Sequence, residues 1–145
     1  MEEHSWKFLL SRYFLHGILF SLIFLGLGFV WVITFVLLVS IASFIGLVLG
    51  IIILFFILGG LNVFLTEKIW SMYVKTDWER VLAHGLVLFF VLIIAHIPTM
   101  FVNFFVNFLI PKLATTTVLF IITAFIDGYV AKNVAARWQE EEYVE

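Results

Sequence analysis

Residues 13–66 read YFLHGILFSLIFLGLGFVWVITFVLLVSIASFIGLVLGIIILFFILGGLNVFLT, 54 positions from Tyr13 to Thr66 without an Asp, Glu, Lys or Arg. A second uncharged run, from Val81 to Pro111, has 31. A helix rises about 1.5 Å per residue and the hydrocarbon core of a bilayer is about 30 Å thick. The first run is long enough to cross twice and turn back, and the second crosses once. A further apolar segment follows Pro111, broken by Asp127. Lipid leaves no water for stray backbone groups, so an uncharged chain of this kind must form helices. The expected fold is therefore all-α: a polytopic helical membrane protein with transmembrane helices at about 13–36, 41–66, 80–109 and 113–134, and an acidic tail at 138–145.

Composition agrees. The 145 residues are 64% hydrophobic and 12% charged, a surface that polar groups could not cover in water. The whole chain, 1–145, reads as a single membrane domain. The longest charged stretch between apolar runs, Glu67 to Arg80, is too short for a soluble catalytic module. Absence of cysteine removes disulfides, thiolate catalysis and Cys-based metal or iron–sulfur sites. A net charge of −2 speaks against a nucleic-acid partner. The acidic start, Met1-Glu-Glu-His-Ser-Trp-Lys7, lacks a basic signal-peptide head, so the first apolar segment is expected to be retained.

The turn inside the long run has no strong breaker. It is expected within Val36–Ser43, which divides the run into equal crossings and supplies Ser40 and Ser43 to bond a bent backbone. Charge orients the chain. Lys7, Arg12, Lys68, Lys75, Arg80, Lys132 and Arg137 fall on one side and Lys112 on the other, which under the positive-inside rule puts both termini in the cytoplasm of an inner or cell membrane. Trp6, Trp70, Trp78 and Trp138 mark the inner interface and Trp31 the outer one, with Lys7, Arg12, Lys75 and Arg80 as interfacial anchors. Thr76-Asp-Trp-Glu79 reads as a capping box opening the third span.

Lys7-x4-Arg12-x3-His16-Gly17 recurs as Lys75-x4-Arg80-x3-His84-Gly85, an offset of 68, at which Gly60 and Gly128 also align. The halves 1–68 and 69–136 would then be duplicated helical hairpins in parallel arrangement. Duplication competes with a plainer reading, that any inner helix end attracts Lys and Arg to the headgroups.

Four polar residues, His16, Asn62, His84 and Asp127, fall at similar depth near the inner leaflet, one per span. Polar groups there usually face the bundle interior and pair with one another, although near the headgroups some can reach water. Lys132, five residues after Asp127, is a candidate to neutralise it. His96, Met100, Asn103 and Asn107 share a face of the third span, bordered by Thr99, and Pro98 among them should kink or break the helix. Ala42-x3-Gly46-x3-Gly50 makes a small-residue groove for close helix packing, against the first span or another subunit.

No nucleophile elbow, HExxH, phosphate loop or paired-carboxylate site is present, which points away from an enzyme. The leading expectation is a small integral membrane protein acting by helix packing, as a homo-oligomer or as a membrane-embedded subunit of a larger complex. Its partners are the bilayer and copies of itself or other membrane subunits. The alternative is a small oligomeric transporter or channel using the layer of His16, Asn62, His84 and Asp127. A second alternative is a bis-histidine redox subunit with haem b between His16 and His84. Otherwise no cofactor is expected, and the sequence does not indicate a metal.

Overall fold

A straight helix of 65 residues would be about 100 Å long, three times the apolar thickness of a bilayer. A computed structural model of the chain describes residues 6–74, 77–106 and 112–140. They form three helices: α1 (Trp6–Trp70, 65 residues), α2 (Trp78–Val106) and α3 (Lys112–Glu140). Each is long and apolar enough to cross a membrane. The count is three where the sequence reading expects four. The reason is local: α1 departs from helical geometry at one residue, Ser43 (φ 46°, ψ −111°), so no loop separates its limbs.

That one residue reverses the chain. Trp31 Nε1 donates to the Gly50 carbonyl (2.8 Å), and His16 lies 3.1 Å from Asn62, although a straight helix over that separation of 46 positions would span about 70 Å. Residues 6–42 and 44–70 are therefore two limbs lying side by side. Ser40 donates its hydroxyl to the Val36 carbonyl (2.7 Å) just before the bend, the local bonding its position suggests. A second left-handed residue, Ser71 (φ 53°), follows the last turn of α1 as a helix stop.

Gly46 and Gly50 form the groove that closes this hairpin, while Ala42, expected on the same span, lies on the first limb because the bend falls at Ser43. A Cβ on Gly46 would overlap the Leu38 carbonyl, and one on Gly50 would overlap the Phe35 ring. The partner of the groove is the chain's own first limb.

Two further crossings are as close. A Cβ on Gly17 would collide with the Ala124 carbonyl, and one on Gly128 with the Tyr13 carbonyl. A Cβ on Gly59 would collide with the Val81 carbonyl, and one on Gly85 with the Phe55 carbonyl. In each crossing the glycine of one helix rests on the carbonyl four residues before the glycine of the other. The first limb thus packs on α3 and the second on α2, with α2 and α3 also in contact. Without a hydrophobic drive between helices in lipid, such backbone approach is what maximises dispersion. Gly59 makes the contact, not Gly60, whose Cβ would meet only a Val81 methyl at 4.0 Å. Phe20, Leu58, Leu61, Leu65, Leu88, Ala131 and Val134 fill the core between the helices.

α2 starts one residue later than the expected capping box. Val81 N–H bonds the Asp77 carbonyl (3.0 Å), so Asp77 holds the N-cap position, while Thr76 lies outside the described residues. Asp77 also sits 3.9 Å from Arg80. Helix α2 continues through Pro98 rather than breaking there. Lys75, Asn107 and the acidic residues 141–145 fall outside the described residues, as do the side chains of 138–140.

Two outcomes test this architecture. Gly17→Leu, Gly85→Leu and Gly128→Leu should each abolish or sharply lower the thermal unfolding transition in detergent. Gly26→Leu should leave it unchanged, because a Cβ there meets nothing within 4 Å. Ser43→Gly should raise stability by about 1 kcal/mol, since glycine enters positive φ without a Cβ clash; a loss on that change would show that Ser43 does not form the bend.

Candidate functional site

Four of the sequence's polar candidates separate into two clusters. In the inner one, Asn62 on the second limb sits between two histidines. Its Oδ1 is 3.1 Å from His16 Nε2 on the first limb, and its Nδ2 is 2.7 Å from His84 Nε2 on α2. The same Nδ2 donates to the Ala131 carbonyl of α3 (2.9 Å). Trp70 Nε1 donates to His16 Nδ1 (3.0 Å). One amide therefore ties all four helical segments together.

The donor count assigns the protons. An indole N–H can only donate, so His16 Nδ1 accepts and its Nε2 carries the hydrogen given to Asn62 Oδ1. The two amide hydrogens of Asn62 then go to His84 Nε2 and Ala131 O, and His84 carries its proton on Nδ1. Donation runs one way, from Trp70 through His16 and Asn62 to His84, with both imidazoles neutral. His16 and Asn62 are wholly buried and His84 nearly so. The cluster is a clasp without access from outside. The Nε2 atoms of His16 and His84 both face the Asn62 amide.

Around the clasp lies an aromatic and cationic collar. Trp70 stacks against Tyr13 (centroids 4.7 Å apart), and Tyr13 lies 5.6 Å from Tyr129. The Arg12 guanidinium covers the Phe8 ring at 4.4 Å and approaches Trp70 at 5.9 Å. Lys7 lies over Trp6. Lys132 points to the Trp70 ring, 5.8 Å from its centroid, and not to Asp127.

Asp127 belongs to the second cluster. It leaves the layer of the other three and faces outward along the bundle, where Ser21 Oγ donates to its Oδ2 (2.8 Å) and His96 Nε2 lies 3.2 Å from its Oδ1. The sequence reading grouped His96 with Thr99, Met100, Asn103 and Asn107. Thr99 bonds its own turn, donating to the His96 carbonyl (2.8 Å), and Asn103 is exposed. His96 turns to α3, and Met100 with it borders a cleft of about 960 Å³.

The cleft lies between the limbs of α1, α2 and α3, with Asp127, Ser21 and His96 at its polar end. Among the described residues the aromatic rings of Phe20, Phe24, Phe29, Trp31 and Phe89 line it. Leu25 and Phe29 on its rim are 73% and 70% exposed, so its mouth opens sideways, where a bilayer would lie. The bundle is tight where glycines and the clasp hold it, and parted beyond them. Gly28 borders the cleft, and a Cβ there would meet nothing.

Sequence reasoning passed over Ser21 as a ligand of Asp127 and Trp70 as a ligand of His16. A serine facing a glycine-rich helix and an interfacial tryptophan both have commonplace explanations. Among the described residues no group of His and carboxylates is arranged to hold a metal ion. Comparisons with family models, with curated proteins and with solved structures find no match for the chain.

The clasp makes a sharp prediction. Asn62→Leu should cost about 2 kcal/mol or more, because it strands buried ring nitrogens and a carbonyl. Asn133→Leu should cost little, since Asn133 bonds only the Tyr129 carbonyl of its own helix (2.9 Å). Nitrogen-15 spectra of the imidazoles should show the proton on Nε2 in His16 and on Nδ1 in His84; the reverse pattern would refute the donor order.

Proposed function

We propose that the chain is a small integral membrane protein that crosses the bilayer four times and binds a hydrophobic molecule in its lateral cleft, as a transporter-type protein. The three helices are compatible with a small membrane protein; the finer reading rests on one observation. A buried carboxylate, bonded by a serine and a histidine, closes the end of an apolar cleft that opens toward lipid. Ionisable groups within a membrane are costly and mark functional sites, and an apolar pocket with a few convergent polar groups is the usual form of a ligand site. The clasp of His16, Asn62 and His84 supplies the rigid base from which the limbs part.

Four crossings are supported by the reversal at Ser43, and an inward-facing pair of termini by the distribution of Lys and Arg. Duplicated hairpins are supported by the glycine crossings. Tyr13 and Gly17 correspond to Val81 and Gly85 at an offset of 68, and Phe55 and Gly59 to Ala124 and Gly128 at 69. Exchanging the halves maps one crossing on the other.

Assembly is the second reading, as a homo-oligomer or as a subunit among other membrane proteins. What favours it is the apolar surface around the bend, where Ile41 and Phe44 are 84% and 76% exposed. Lipid contact accounts for the same surface, and the small-residue groove is already occupied within the chain.

Because the chain lacks cysteine, single cysteines report cleanly. A cysteine at Met72 should be labelled from the cytoplasmic face and one at Ser43 from the opposite face; labelling of both from one side would end the four-crossing reading. Gly28→Trp should displace lipophilic molecules that co-purify with the protein, as read by native mass spectrometry. Unchanged retention would show that the cleft does not hold them.

A further inference from the structure

Resting on that reading of the cleft, we infer that its ligand is a lipophilic monocation, whose positive charge is set against Asp127 and whose apolar body lies among the aromatic rings.

The surroundings of the carboxylate carry the inference. His96 Nε2 lies 3.2 Å from Asp127 Oδ1, and Ser21 Oγ donates to Oδ2. Neither neighbour is a fixed cation, and among the described residues no Lys or Arg pairs with Asp127.

The first limb brings Ser21 and apolar or aromatic residues to the cleft, the second brings Leu54 and Leu58, and α2 brings His96. Among the described residues no Lys or Arg lines it. Lys132, closest along α3, is held over Trp70 at the opposite end of the clasp. A lone negative charge in a low-dielectric site attracts a cation far more strongly than it would in water. The walls match the same ligand. Aromatic faces carry negative quadrupoles and favour cations desolvated against them. An anion would meet Asp127 as a like charge, and a neutral lipophile would leave it unbalanced.

The pair tetraphenylphosphonium and tetraphenylborate separates sign from shape, because the two ions have nearly the same form. Saturable binding of each is measured on the full chain in nanodiscs, after subtraction of empty nanodiscs, with neutral triphenylphosphine oxide as a third probe. The phosphonium should bind at least about tenfold more tightly than the other two. That preference should vanish in Asp127→Asn and persist in Asp127→Glu, with helicity and melting checked in both. Saturable but equal binding of all three probes, blocked by Gly28→Trp, would overturn the cation inference and leave the cleft reading standing. No saturable binding of any probe would overturn both.

Discussion

Asn62 is the residue on which the bundle turns. An amide offers one acceptor and two donors, and here each meets a different helical segment: His16 on the first limb, His84 on α2 and Ala131 on α3. In lipid, packing between apolar side chains gives little preference for one rotation of a helix over another, because the tails are as apolar as leucine. A buried amide removes that freedom. If any helix rotates or slides, a polar group is left bare in a dry interior. The clasp thus sets register, and the glycines at 17, 59, 85 and 128 set distance. The tryptophan that donates to His16 extends the same network to the interfacial collar of Tyr13, Arg12 and Lys132.

A tight base has a consequence further along. Helices held close at one level, with bulky Phe and Trp above it, part as they rise. Between them lies the cleft, and the residues nearest its closed end are those just beyond the glycine crossing: Ser21, four after Gly17, and Asp127, adjacent to Gly128. The close approach of the first limb and α3 is what brings hydroxyl and carboxylate within 2.8 Å. Packing and candidate chemistry therefore share one cause. The two polar clusters differ: one is sealed among four helical segments, while the other lies beside open space.

Much of this was legible in the residues. Equal depth singled out His16, Asn62 and His84 but left open whether they pair or reach water at the headgroups; their mutual bonds are a finding of the structure. The reversal between residues 36 and 43 was expected from the length of the run and from Ser40 and Ser43, and the bend lies at Ser43, the edge of that window. Asp127 was read at the right helix and the wrong partners. Sequence depth counts residues along an axis, but a carboxylate reaches along its helix toward whichever donor faces it. His96 sits twelve residues beyond His84 on α2, about 18 Å by helical rise, so depth placed it in another layer. The tilt that lets it meet Asp127 is a property of helix pairs.

What the sequence by itself determined is the solvent and the secondary structure: charge-free runs of this length cannot be covered in water, and in lipid a backbone must close its own hydrogen bonds. It also determined which residues were scarce enough to matter. Only the tertiary structure decided which of them meet. Whether Gly46 and Gly50 pack within this chain or against another, which glycine of the 59–60 pair carries a crossing, and where a cleft opens all depend on rotations of apolar helices. Hydrophobicity is the same in every direction around such a helix, so those rotations are fixed by a few directional bonds and by the shapes in contact.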